Sequence, residues 1–268
     1  MKTRIISGTV AFMLLLIVVF APKEILAAGM FILAIIGLHE FYSVVATAGY
    51  RPVKLIGYLA CVPLFISGFM KNEYNEYVFL SVFVVLAVLM GLIVFKHERY
   101  NIIDISLTTF GIMYVPFLFI FIILTRNLEN GFYFIWMIFI GAWITDTFAY
   151  FTGVFLGKRK LIPSISPKKT VEGSVGGIVG CVAVMTLYGV LVINSKLGNI
   201  PVYHYIIISL LCGIISQVGD LAASSIKRYA KVKDYGKIMP GHGGVLDRFD
   251  SILFVAPVVY FYIILFIA

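Results

Sequence analysis

The chain is predicted to be an all-α, polytopic integral membrane protein of about nine transmembrane helices, on three observations. Hydrophobic residues make up 61% and charged residues only 13% of its 268 positions, and the mean hydropathy is +1.03, which excludes an ordinary soluble core. Uncharged runs of about 18–20 residues, the helical length that crosses a hydrocarbon layer, recur from end to end. Lys and Arg are distributed unevenly between alternate connections, as membrane insertion requires.

Taken in order, the apolar segments fall at about 5–21, 25–46, 53–70, 77–95, 104–124, 132–151, 173–193, 201–218 and 251–267. The first follows Lys2 and Arg4 like a signal peptide, but Ala21, Pro22 and Lys23 make a weak cleavage site and more spans follow, so it is read as helix one. With the N-terminus cytoplasmic, seventeen bases fall on the inner side, and Lys23, Lys71, Arg126 and Lys196 on the outer. That places the C-terminus outside and two large polar loops, 152–172 and 219–250, on the cytoplasmic face. Placed in this way, the net charge of +8 reads as topology and an anionic substrate, with no nucleic acid as partner. Cys61, Cys181 and Cys212 lie inside spans without ligand or disulfide spacing.

The first half is sparse in chemistry. Glu40 is its exception: an acid at that depth needs a partner or water, so it is either a structural pair, for instance with Arg51, or a group at a site mouth. His39 reads as an interfacial packing or hydrogen-bonding residue, Asp104 as a cap near the entry of its span, and Pro63 and Pro116 as kinks.

From the sixth segment the character changes. Asp146 sits near the cytoplasmic end, where an aspartate faces the protein interior or a wet cavity. Lys168 and Lys169 follow Pro167 as compact cations suited to phosphate oxygens, and Thr170 is placed to cap the next helix. Gly173, Gly176, Gly177 and Gly180 permit close helix approach, with Gly177 and Gly180 read as packing positions. Stretch 219–250 then holds Asp220 at the end of one apolar run, and Asp247 and Asp250 at the start of the next. Folding back such a loop joins carboxylates into a divalent-cation site for a nucleoside triphosphate, with Asp146 completing its wall. Between them Lys227, Arg228, Lys231, Lys233 and Lys237 offset phosphate charge, and Ser224 and Ser225 donate hydrogen bonds. Lys227, Lys231 and Asp234 share a face if 221–235 is an amphipathic interfacial helix. Gly241, Gly243 and Gly244 supply a tight turn around His242, which either contacts phosphate or orients a carboxylate.

The identities and spacing of Ser224, Ile226, Lys227, Arg228, Lys233, Asp234, Pro240, His242, Gly243, Gly244, Asp247, Arg248 and Asp250 resemble the phosphatidate cytidylyltransferase (CDP-diacylglycerol synthase) family. The resemblance extends to Asp146, Tyr150 and Gly153, and to Ser166 through Thr170, Glu172, Gly173 and Gly177, with only loose similarity around Arg4 and Glu40. Val171 stands where the family often has Trp, and Val154 where it often has a base. The resemblance implies transfer of a cytidylyl group from CTP to phosphatidate at the cytoplasmic face of the cell's inner membrane, with Mg2+, a second cation such as K+, and a homodimer. It implies metal binding by Asp220 and Asp247, with Asp250 a further candidate by position, and catalytic roles are expected of Asp146, Lys168, Lys169, Lys227, Arg228, His242 and Arg248. Nucleotide contacts fall to Ser224, Lys233, Asp234, Gly243 and Gly244. Residues 1–130 are expected to be scaffold, with lipid or dimer contacts, and 131–268 the catalytic region. The competing readings are another CTP-dependent lipid phosphotransferase or kinase, and a transporter of a phosphorylated solute.

Overall fold

The structure, a computed structural model, describes residues 2–67, 75–198 and 200–267. Lys71, the end of the 53–70 segment and the side chains of Lys2 and Arg4 lie outside the described residues. Six helices among the described residues are long and apolar enough to cross a membrane: Lys23–Thr47, Ile102–Asn127, Gly131–Leu156, Val171–Leu197, Val202–Tyr229 and Leu246–Phe266. Shorter apolar helices cover Ile6–Phe20, Lys54–Ile66 and Leu80–Phe95. The protein is therefore an all-α polytopic membrane protein.

The chain divides into two compact units, residues 1–123 with 229–248, and residues 124–228 with 249–268. The first contains α1 (Lys2–Phe20), α2 (Lys23–Thr47), α3 (Lys54–Ser67), α4 (Asn75–Phe95), α5 (Ile102–Tyr114) and the start of α6 (Pro116–Asn127). Its core is built on α2, where Leu26, Met30, Leu38, Phe41 and Tyr42 are buried completely or nearly so. The Tyr42 hydroxyl donates to the Thr108 carbonyl (2.8 Å), so this ring is buried without leaving its polar end unpaired. Asp104 caps as expected: it forms a capping box with Asn101, accepts the Arg51 N–H (2.6 Å) and so ties the α2–α3 connection to the start of α5. Pro116 cannot continue the hydrogen-bond ladder of α5, so the single span Ile102–Asn127 is divided at Val115 into α5 and α6.

The second unit contains α7 (Gly131–Leu156), the antiparallel strands β1 (Lys160–Ile162) and β2 (Ser166–Thr170), α8 (Val171–Tyr188), a wide π turn at Gly189–Ile193, α9 (Asn194–Leu197), α10 (Val202–Tyr229) and most of α11 (Leu246–Phe266). Helices α7 and α8 pack through small residues, as anticipated. A Cβ on Gly177 would lie 2.8 Å from the Thr145 carbonyl, and side chains at Gly176 and Gly180 would overlap Thr152 and Phe148.

Two boundaries differ from the hydropathy reading. Helix α10 does not end near 218 but runs on to Tyr229, because LAASSIKRY contains good helix formers and no breaker. Asp220 is thus inside a helix, and Asp247 and Asp250 lie in the first turns of α11. The expected helix over 221–235 stops at Tyr229. Lys231 has φ +56°, so Lys231 and Asp234 do not share a helix face with Lys227.

Candidate active site

In the second unit, the N-terminus of α8 is set by local pairing. Thr170 accepts the Gly173 N–H (3.1 Å) at the N-cap, and the Val171 N–H donates to the Arg159 carbonyl (2.9 Å). Glu172, in the first turn of the helix, accepts the backbone N–H groups of Lys158 (3.0 Å) and Arg159 (3.1 Å). The β1–β2 hairpin is thereby clamped to the start of α8, and Arg228 Nε holds the Ile165 carbonyl at its tip (3.3 Å).

This clamp forms one wall of a cavity of about 320 Å³ bounded by α7, the hairpin, α8 and α10. Its polar lining includes Asp146, Lys168, Lys169, Ser174, Gln217 and Asp220. Lys169 forms an ion pair with Asp220, both groups about one-quarter exposed, and Ser224 Oγ lies 3.3 Å from the other Asp220 oxygen. Gly219 makes the close approach of α10 to α11 possible: a Cβ there would come 2.6 Å from the Asp250 carbonyl. Asp250 interacts electrostatically with Asp220, Lys227 and Asp146, and Ser251 Oγ reaches Asp146 at 3.4 Å. Lys227 is buried, which an ammonium tolerates only among such acids. The unit therefore unites eight of the sequence-derived site residues: Asp146, Lys168, Lys169, Asp220, Ser224, Lys227, Arg228 and Asp250.

The other seven belong to the first unit. Met239 and Gly243 form a bridge closed by a turn, with Gly241 and Gly243 at φ +78° and +83°. Asp247 Oδ2 accepts the N–H groups of Tyr235 (2.7 Å) and Gly244 (2.9 Å), and a Cβ on Gly243 would collide with that oxygen at 2.6 Å. Arg248 Nε donates to the His242 carbonyl (3.0 Å). Ser7 of α1 donates to the Pro240 carbonyl (2.9 Å) and lies 3.0 Å from His242 Nδ1, so a residue with no sequence signal supports this turn. Lys233 and Asp234 are exposed on the same connection.

Glu40 is not paired with Arg51. Its two carboxylate oxygens accept the N–H groups of Val245 and Leu246, each at 3.0 Å, at the start of α11. This acid is buried because free helix N-terminal donors surround it. Side chains at Gly236 or Gly244 would overlap its carboxylate.

Magnesium suits the donor chemistry of the second unit, where Asp146, Asp220 and Asp250 offer only hard carboxylate oxygens beside lysines. Among the described residues, no three acidic, His or Cys side chains converge closely enough to define a metal site by themselves. Gln217 was missed from sequence. Its signal was available: it lies three residues before Asp220 in an apolar helix, hence on the same face.

Residues 2–266 match the model of the cytidylyltransferase family. The chain is similar to the phosphatidate cytidylyltransferase of Bacillus subtilis strain 168, at 36% identity over 99% of this chain and 98% of the relative. Similar proteins of the same name occur in Staphylococcus saprophyticus, at 33% identity over 96% of both chains, and in Staphylococcus aureus strain COL, at 32% identity over 96% of both.

Proposed function

The chain belongs to the cytidylyltransferase family, and from that premise we propose that it transfers the cytidylyl group of CTP to phosphatidate, giving CDP-diacylglycerol and pyrophosphate for phospholipid synthesis. The observation that carries the assignment to this structure is the cavity in which Lys168 and Lys169 face Asp146 and Asp220 beside the capped N-terminus of α8.

A phosphatidate phosphate oxygen, already ionised near neutral pH, attacks the α-phosphorus of CTP. The bond to the β-phosphate oxygen breaks and pyrophosphate leaves. Lys168 and Lys169 take up phosphoryl charge, and Lys227 offsets the acids around it. Arg228 and Glu172 hold the hairpin so that the lysine pair keeps its place. Asp220 and Asp250, organised by Asp146, would hold magnesium, which when bound neutralises charge on the phosphoryl oxygens. Asp247 keeps the ligand role that the family signature gives it, oriented by the Tyr235 and Gly244 N–H groups. His242, Arg248, Lys233, Asp234, Gly243 and Gly244 form the signature's phosphate and nucleotide contacts, and Ser224 adds a donor. Catalysis is assigned chiefly to residues 131–268, and 1–130 to scaffold with lipid and dimer contacts.

Nine spans with the N-terminus inside, the C-terminus outside and the site cytoplasmic are the topology that seventeen inner against four outer bases favour. A homodimer and a potassium requirement complete the reading that the resemblance supports. Purified protein given phosphatidate and radiolabelled CTP is expected to form labelled CDP-diacylglycerol and pyrophosphate only with magnesium present. Absence of lipid product would overturn the assignment.

A further inference from the structure

Gln217 is one of the few neutral polar side chains in the cavity, and its orientation is fixed. It lies on α10, is 7% exposed, and its Nε2 donates to the Ser174 carbonyl (3.1 Å) and the Gly213 carbonyl (3.0 Å). Both amide protons are used. Rotating the amide would set its oxygen against two carbonyl oxygens, so the flipped arrangement is excluded by repulsion. Each carbonyl lies within a helix and lends the lone pair left after its own helical bond. What Gln217 presents beyond these bonds is a carbonyl oxygen, Oε1, an acceptor that cannot donate.

That acceptor borders a cavity whose cations, Lys168 and Lys169, are suited to phosphate. A phosphate oxygen would be repelled by Oε1, so this part of the wall is made for a hydrogen-bond donor. Phosphatidate brings ester and phosphate oxygens, nearly all acceptors. A cytidine nucleotide brings donors: the exocyclic amine of the base and the hydroxyls of the sugar. We propose that Gln217 is a nucleotide-specificity residue whose Oε1 accepts a hydrogen bond from the exocyclic amine or the 2′-hydroxyl of CTP. The inference rests on the cytidylyltransferase reading and adds to it how CTP is told from other nucleotides.

The test compares kcat/KM for CTP, UTP and dCTP in wild type and in Gln217→Met, which keeps length and apolar volume but has no acceptor. UTP replaces the amine by a carbonyl, a second acceptor, and dCTP lacks the 2′-hydroxyl. Losing one such hydrogen bond is expected to reduce discrimination against one of the two by about tenfold, mainly through a raised KM for CTP. Loss against UTP identifies the amine as partner, and loss against dCTP the sugar. Unchanged selectivity against both, or an effect confined to magnesium half-saturation, overturns the proposal. If Gln217→Met is not monodisperse in detergent, wild type carries the test: its kcat/KM for CTP should exceed that for UTP or for dCTP by about tenfold or more, and equal use of all three would overturn the proposal. A wild type that yields no lipid product from CTP would instead refute the underlying reading.

Discussion

The acids of the two units have similar chemistry and opposite partners. In the second unit Asp220 is paired with Lys169, and Asp250 interacts with Lys227, Asp220 and Asp146 beside an open cavity. In the first unit Glu40 and Asp247 are buried against backbone N–H groups and hold the 235–246 turn and the start of α11. A carboxylate facing mobile cations can exchange them for substrate or metal charge. One facing peptide N–H groups is a strut whose removal leaves donors unpaired. Activity and stability should therefore separate between Asp220 and Glu40, with Asp247, which is given both tasks, between them.

The largest expected effect is that of Asp220→Asn, which removes charge with little change of shape. Turnover should fall by at least about a hundredfold, since the group is proposed to hold the magnesium that offsets phosphoryl charge. Stability should change little, because a part-exposed ion pair contributes about 0–1 kcal/mol. Product formation and thermal unfolding in detergent, measured on one preparation, check both halves; a large loss of stability with retained turnover would reverse the comparison. Removing magnesium with a chelator should abolish product in the same way, without unfolding the protein.

Asp247 and Glu40 sharpen the contrast through the atoms they use. The bonds from the Tyr235 and Gly244 N–H groups to Asp247 both go to one oxygen, Oδ2. Asp247→Asn can keep them through its amide oxygen while losing the charge, so it should fold and lose about a hundredfold in activity. Asp247→Ala should lose about 1–3 kcal/mol of stability as well. Full activity in Asp247→Asn would leave this residue a purely structural role. Glu40 instead divides its bonds between two oxygens. Gln has one oxygen and would turn an amide donor toward the other N–H, so Glu40→Gln should destabilise the protein by about 1–3 kcal/mol, with about a tenfold loss of turnover as α11 is displaced. Denaturation midpoints of the two amide variants provide the check.

This division was only partly legible in the sequence. Apolar run length identified the membrane helices because the hydrocarbon layer sets the length. It misjudged the end of α10, because hydropathy stops at the first charge whereas a helix continues until its backbone is interrupted, here near Lys231. Position beside apolar runs singled out Asp220, Asp247 and Asp250 as candidates but not their differing environments. A carboxylate's partners depend on which donors tertiary packing brings to it. Glu40 lies 205 residues from Val245, and no local pattern announces that meeting. Gln217 was obscured by the apolar run around it, although its spacing to Asp220 was visible.

The smallest effect expected should come from Ser7, which touches the His242 turn from α1. Its hydroxyl donates to the Pro240 carbonyl and contacts His242 Nδ1, while Gly8 packs within about 3.1 Å of the same ring as measured from an added Cβ. Ser7→Ala removes one hydroxyl from a part-exposed site, so it should cost about 0.5–1.5 kcal/mol and change kcat by less than about threefold. If the first unit acts as a strut, the loss should appear in the unfolding midpoint, and the KM for CTP should stay constant. A KM shift larger than the stability loss would instead mean that α1 tunes His242 toward substrate, and the line between supporting and reacting residues would have to be drawn through the turn itself.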